Sequence, residues 1–182
     1  MTLTTDTRQA LPTGTWVLDT VHSTIGFEVP YLVGTFRGRL DGVDAKLNVS
    51  DDAVSLVGSA RVNSVVVKDE NLVAHLQSPD FFDAERYPEL SFESREIERA
   101  GDELTVRGEI TIKGVTKPVE LAGTISDPIT DGYGRDRMGV RLETKVDRTD
   151  FGLNWNMPLP SGEPALANDV KLEAELFFVR EA

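Results

Sequence analysis

Apolar and polar residues alternate along most of the chain with a period of two, the spacing of strands that cover one face only. The clearest run is Leu104 to Gly123. Leu104, Val106, Gly108, Ile110 and Ile112 alternate with Thr105, Arg107, Glu109, Thr111 and Lys113. Gly114 to Pro118 interrupts the run, and Val119, Leu121, Gly123 and Ile125 resume it. This predicts a long antiparallel hairpin with a dry face and a wet face.

The pattern extends in both directions. Trp16 to Asp19 predicts a first strand. His22 to Val29 predicts a second, with Ile25, Phe27 and Val29 on one face and Pro30 as its stop. Tyr31-Leu32-Val33 is an apolar loop, and such residues need cover, so it is expected to tuck onto a barrel mouth. Phe36, Gly38 and Leu40 share one parity, and Val43, Ala45, Leu47 and Val49 the other. A bulge or bend near Gly42 would keep both halves facing inward. Ala53 to Val66 predicts a strand with Leu56, Gly58, Ala60 and Val62 inward.

Between Lys68 and Pro88 the period changes. Leu72, Val73, His75 and Leu76 have helical spacing, with Asp69 as the cap. One short helical segment is expected near 69–78, followed by a tight loop carrying Phe81 and Phe82. Leu90 and Phe92 open a further strand. Met138, Val140, Leu142, Thr144 and Val146 alternate with charged residues, and Val170, Leu172, Ala174, Leu176 and Phe178 do the same at the end. Asp147 to Asn168 is long and irregular, with Phe151, Trp155 and Met157.

Every strand therefore wants one covered face. About eight strands closing on themselves supply that and leave no edge. The fold class is all-β, a single antiparallel eight-stranded barrel spanning 14–182, with residues 1–13 as a tail. A two-sheet sandwich is the alternative. A barrel of this size has room for side chains or one slender ligand.

Charge and composition narrow the function. The 182 residues carry a formal net charge of −12 and no cysteine. An acidic chain repels phosphate backbones, which argues against nucleic-acid binding and against docking on anionic lipid. Disulfides, thiolate metal sites and cysteine catalysis are excluded. The N-terminus has no basic start followed by an apolar run, and no segment reads as transmembrane. The expectation is a cytoplasmic protein, or a periplasmic or secreted one if the sequence is a trimmed piece.

Catalytic chemistry finds little support. His22 and His75 are the only histidines. His22 and Ser23 are strand neighbours that point to opposite faces, so with Asp19 they do not make a triad; His22 is expected to bond backbone at a turn. His22, His75, Asp80 and Asp83 match no metal-ligand spacing. Gly132-Tyr133-Gly134 precedes a strand and cradles no phosphate. No catalytic and no metal-binding residue is assigned.

Binding remains. Gly58, Ala60, Gly108, Gly123 and Ala174 are small residues on inward faces, where they leave room, while Phe81, Phe82, Phe151, Trp155 and Met157 lie on the two long loops. Pattern alone leaves two readings open, a cavity or a barrel filled by its own side chains.

Four stretches resemble a known family. They are Asp19 with His22-Ser23; His75-Leu76-Gln77-Ser78-Pro79-Asp80-Phe81-Phe82-Asp83 with Tyr87-Pro88 and Phe92; Gly108 to Val119; and Asp147 to Leu153. In that order, from about Trp16 to the C-terminus, they are similar to the YceI-like proteins. The resemblance implies a lipocalin-like barrel whose tunnel holds a long isoprenoid chain or related amphiphile, such as a quinone-like lipid or fatty-acid derivative, for sequestration, transport or storage. It also implies a homodimer as one form of assembly, and no cofactor other than the bound lipid.

This chain departs from the family where the loop after the second strand is short and lacks histidine, and where Leu72 and Val73 stand before the helix end. Both departures make the mouth more apolar. On this reading the tunnel is lined by Phe27, Val29, Phe36, Leu56, Ala60, Val62, Leu76, Phe92, Gly108, Ile110, Ile112, Met138, Val140, Leu142, Leu172 and Leu176, and its mouth is shaped by Phe81, Phe82, Phe151 and Trp155. The competing readings are a filled barrel serving as a protein–protein module and a hydrolase without a recognisable motif.

Overall fold

The computed structural model describes residues 10–181. Twelve strands form one sheet: β1 Gly14–Leu18, β2 Thr24–Tyr31, β3 Gly34–Leu40, β4 Val43–Val49, β5 Val54–Arg61, β6 Val65–Val66, β7 Glu89–Ala100, β8 Glu103–Ile112, β9 Val115–Ile125, β10 Ile129–Thr130, β11 Asp136–Asp147 and β12 Asp169–Arg180. The single α-helix among the described residues, α1, spans Glu70–Gln77. Its cap is Asp69, whose carboxylate accepts from the amides of Asn71 and Leu72, as the spacing predicts.

Eight strands close an antiparallel ring in the order β11-β9-β8-β7-β5-β4-β1-β12, with β12 returning to β11. Closure gives each ring strand a partner on both sides. β12 is the pivot. One of its edges pairs with β11 from Asp169 to Val179. The other pairs first with β2, over Lys171 to Glu175, and then with β1, over Phe178 to Arg180. Where β12 changes partner, Phe177 is held on both sides. Its amide donates to the Ser23 hydroxyl (2.9 Å), and its carbonyl accepts from the Asp19 amide (2.7 Å). The Asp19 and His22-Ser23 motif is therefore a joint in the barrel wall.

Several expectations change. The parity slip near Gly42 is no bulge within one strand: it separates β3, which pairs with β2 and β6, from β4, which pairs with β1 and β5. The expected strand to Val66 stops at Arg61, and a 3-10 turn over Val62–Ser64 leads into β6. Gly114 to Pro118 does not interrupt the long hairpin. Only Lys113 and Gly114 turn, both with positive φ (50° and 76°), and pairing resumes at Val115. Two positive-φ residues are what a two-residue hairpin turn requires.

Of the expected tail, residues 1–9 lie outside the described residues. Leu11 packs against the core, and the Pro12 carbonyl accepts the Trp16 indole N–H at 3.0 Å. The Tyr31-Leu32-Val33 loop lies at the barrel mouth, as expected, with the Leu32 amide bonded to the Ala165 carbonyl, but its side chains are not covered. It is the tip of the β2–β3 hairpin, with all three side chains exposed.

The interior is uneven along the barrel. At one end, large side chains face each other across the ladders. Trp16 lies opposite Leu47, Met138 opposite Phe178, and Val140 opposite both Leu176 and Ile125. At the other end small residues meet: Ala45 lies opposite Gly58, Val43 opposite Ala60, and Leu142 opposite Ala174. Cross-strand pairs of this kind set how much of a barrel's interior is filled.

Candidate functional site

The small-residue end encloses a cavity of about 390 Å³. Its wall draws on most of the ring. β2 and β3 contribute Phe27, Val29 and Phe36; β5 contributes Leu56 and Ala60; β7 and β8 contribute Phe92, Ile110 and Ile112; β11 and β12 contribute Leu142, Leu172 and Leu176. Leu76 of α1, with Phe81, Phe82, Phe151 and Trp155 from the two long loops, borders the open end.

Four expected wall residues lie elsewhere. Met138 and Val140 are buried in the filled end of the barrel, at 2% and 3% exposure. Their inward parity is right, but they sit below the cavity floor. Val62 is buried within the 3-10 turn after β5, where the strand periodicity no longer applies. Gly108 leaves no gap. A Cβ there would lie 2.2 Å from the Glu93 carbonyl oxygen and 2.8 Å from the Phe92 ring, so the glycine allows β7 to approach beside the register shift at Ser94–Glu96. Gly123 is similar, with the Arg141 carbonyl 1.7 Å from a built Cβ. Leu104 and Val106, the lower part of the long hairpin, also belong to the filled end.

The wall includes residues that sequence reasoning did not assign, among them Leu90, Leu121, Leu153, Leu166, Val170 and Arg148. The first five could have been found as alternating or loop apolar positions. Arg148 is the informative one. Its side chain is buried (5% exposed), and among the described residues it makes no ion pair with a carboxylate. Instead it donates to four main-chain carbonyls: Nε to Ala167 (2.8 Å), Nη1 to Leu153 (2.6 Å) and Trp155 (2.8 Å), and Nη2 to Leu166 (3.4 Å). The planar fork gathers the irregular 148–168 segment over the open end. Burial pushes this guanidinium below its ordinary pKa, and the nearby Asp147 carboxylate opposes that shift.

Lys113 ties the same rim from the hairpin turn. Its ammonium donates to the Pro79 carbonyl (2.8 Å) and the Gly152 carbonyl (3.4 Å), joining the loop after α1 to the loop after β11. His75 stands edge-on to Phe81 and Trp155, with ring centroids 4.9 and 4.8 Å away, and its Nε2 lies 3.2 Å from Asp80 Oδ2. Aromatic packing of this geometry holds the rim together.

His22 lies away from the cavity. Its Nδ1 is 2.8 Å from Asp19 Oδ2, so it bonds a carboxylate and not the backbone. Asp19 also accepts from Arg137 (3.0 Å), which in turn donates to Asp131 (2.6 Å). Bonding to His22 and then to Arg137 holds the Asp19 carboxyl down at about 2, and Arg137 does the same for Asp131. Among the described residues no group of three or more His, Cys, Asp or Glu side chains could hold a metal ion. No helix among them is long and apolar enough to cross a membrane.

A closed antiparallel barrel, filled at one end and hollow and apolar at the other, has the architecture of a barrel with room for one small apolar molecule. The profile of the YceI-like domain matches residues 16–178, and the chain belongs to that family. Protein YceI of Salmonella arizonae is 31% identical over 158 residues, covering 82% of this chain and 81% of that protein. Among solved structures, Burkholderia cenocepacia BcnA superposes with a TM-score of 0.74 at 19% identity, covering 88% of this chain and 98% of that one. A polyisoprenoid-binding domain from Saccharophagus degradans, described as implicated in plant cell wall breakdown, has a TM-score of 0.66 at 14% identity, with 91% and 98% covered. At these identities the structural likeness establishes the fold.

Proposed function

We propose that this protein holds a polyisoprenoid or a similar long-chain amphiphile in its cavity, for sequestration, transport or storage. The observation that carries the reading is the one-ended hollow lined by Phe27, Leu56, Phe92, Ile110 and Leu172. Each buried CH₂ of a chain gains ~0.8 kcal/mol, so affinity accrues without polar contacts. The wall is chiefly apolar, and the donors of Arg148 on it are committed to main-chain carbonyls, which favours binding over catalysis. The binding domain from Saccharophagus degradans lends support through its name and shared fold.

The test is native mass spectrometry of protein purified without detergent, followed by organic extraction. A co-purifying prenyl or long-chain lipid, or uptake of a fluorescent prenyl probe at one per chain, is the expected result. Absence of both would overturn the reading and favour a barrel that serves only as a protein-binding module.

A further inference from the structure

The tip of the β2–β3 hairpin carries two exposed apolar side chains. Leu32 is 55% exposed, and Val33 is fully exposed. Leu32 also has φ of 49°, a conformation in which Asn or Gly is the usual occupant and a leucine is strained. A soluble hairpin gains nothing from this choice. The Leu32 amide donates to the Ala165 carbonyl (3.0 Å), and the Ala165 amide donates to the Met157 carbonyl (3.0 Å). The tip and the 157–165 segment are therefore one stitched rim, and Met157 on it is also exposed. Tyr31 and Leu72 are exposed on the outside and border the cavity as well. Tyr31, next to Leu32 in the chain, thus links the exposed tip to the hollow.

We propose that this rim docks on a lipid bilayer, with Leu32 and Val33 inserted among the lipids and the open end of the cavity at the interface. The proposal rests on the reading of the cavity as a lipid site. A long apolar chain that moves between bilayer and barrel avoids water only if the mouth meets the membrane directly. Two side chains on a hairpin tip fall far short of the roughly 800 Å² per partner that a stable protein interface buries. They suit shallow insertion instead. The net charge of −12 provides no attraction to anionic headgroups, so docking is apolar and insensitive to salt.

The test compares the wild type with a Leu32→Asn/Val33→Ser double variant, in which Asn suits the positive φ and the fold is retained. Three measurements are made: flotation with phosphatidylcholine vesicles, transfer of a fluorescent prenyl lipid out of those vesicles, and uptake of the same probe dispersed in water. The wild type is expected to float at low and high salt alike. The variant should lose vesicle transfer by about tenfold or more, as follows from withdrawing two large apolar groups from the interface. Its thermal midpoint should not fall, and its uptake of water-dispersed probe should stay unchanged.

Equal vesicle transfer by the two proteins, or failure of the wild type to float, would overturn the docking proposal. A wild-type dimer that the variant loses would overturn it too and assign the tip to a second copy. Failure of both proteins to take up water-dispersed probe would overturn the lipid-site reading instead, and flotation would then decide docking alone.

Discussion

The two ends of this barrel use the same strands and the same inward parity, yet one is solid and the other hollow. On β8, Leu104 and Val106 are buried away from the cavity, while Ile110 and Ile112 on the same face border open space. On β11, Met138 and Val140 are filled in, and Leu142 is not. The difference lies in what stands across the ladder. Trp16, Leu47, Met138 and Phe178 interlock at one end; Ala45, Gly58, Ala60 and Ala174 fall short of one another at the other. Stability resides in the first region and capacity in the second.

The comparison breaks most clearly through large-to-small changes. Trp16→Ala or Phe178→Ala in the solid end should lose ~3–5 kcal/mol, read from the urea midpoint. Leu172→Ala in the hollow should lose no more than about half of that, because the side chain has packed neighbours on one side only. Equal losses would mean that the hollow is packed in solution. Arg148→Met is expected to lose about 3 kcal/mol or more, since it strands the Leu153, Trp155 and Ala167 carbonyls, while the Leu166 carbonyl keeps its bond from Asn156.

Filling sharpens the contrast. Ala60→Phe should remain folded at a cost of at most ~1–3 kcal/mol while abolishing probe uptake. Gly108→Phe should unfold the β7–β8 ladder, since even a Cβ meets the Glu93 carbonyl. A folded Gly108→Phe barrel with blocked uptake would return that residue to the tunnel wall.

The smallest effect is acidic. In the folded chain the Asp19 and Asp131 carboxyls take up protons only near about 2, against 3.8 ordinarily. Between those values the unfolded chain binds more protons, so stability falls as pH falls through that window and is fully present above it. Both shifts depend on Arg137. Arg137→Gln should therefore flatten the acid limb of the thermal midpoint without altering probe uptake, because the cluster lies away from the cavity.

These contrasts also mark how far the sequence could be read. Alternation correctly places Phe27, Leu56, Ile110 and Leu172 on inward faces, because a strand has only two sides. Height along the barrel axis has no such signature. Met138 and Leu142 are equivalent by parity and separate only when β12 supplies Phe178 to one and Ala174 to the other. Gly108 looked like a vacancy because a missing side chain reads the same whether space or a neighbouring backbone fills its place. Arg148 carried no periodic signal at all: its partners, Leu153, Trp155, Leu166 and Ala167, converge only when the irregular segment folds back. The partnership of Asp19 with Arg137 spans 118 residues and had no local trace.

The pairing of β1 with β12 also has a consequence in time. Trp16 to Leu18 finds its partners in Phe178 to Arg180, so the ring cannot shut until the end of β12 has been made. Until then β1 and β11 lack the partner that joins them in the closed ring. Late closure of this kind makes folding slow and leaves the nascent chain open to aggregation. Loss of the last few residues of β12 would strike the ribosome-borne chain harder than its small share of the buried surface suggests.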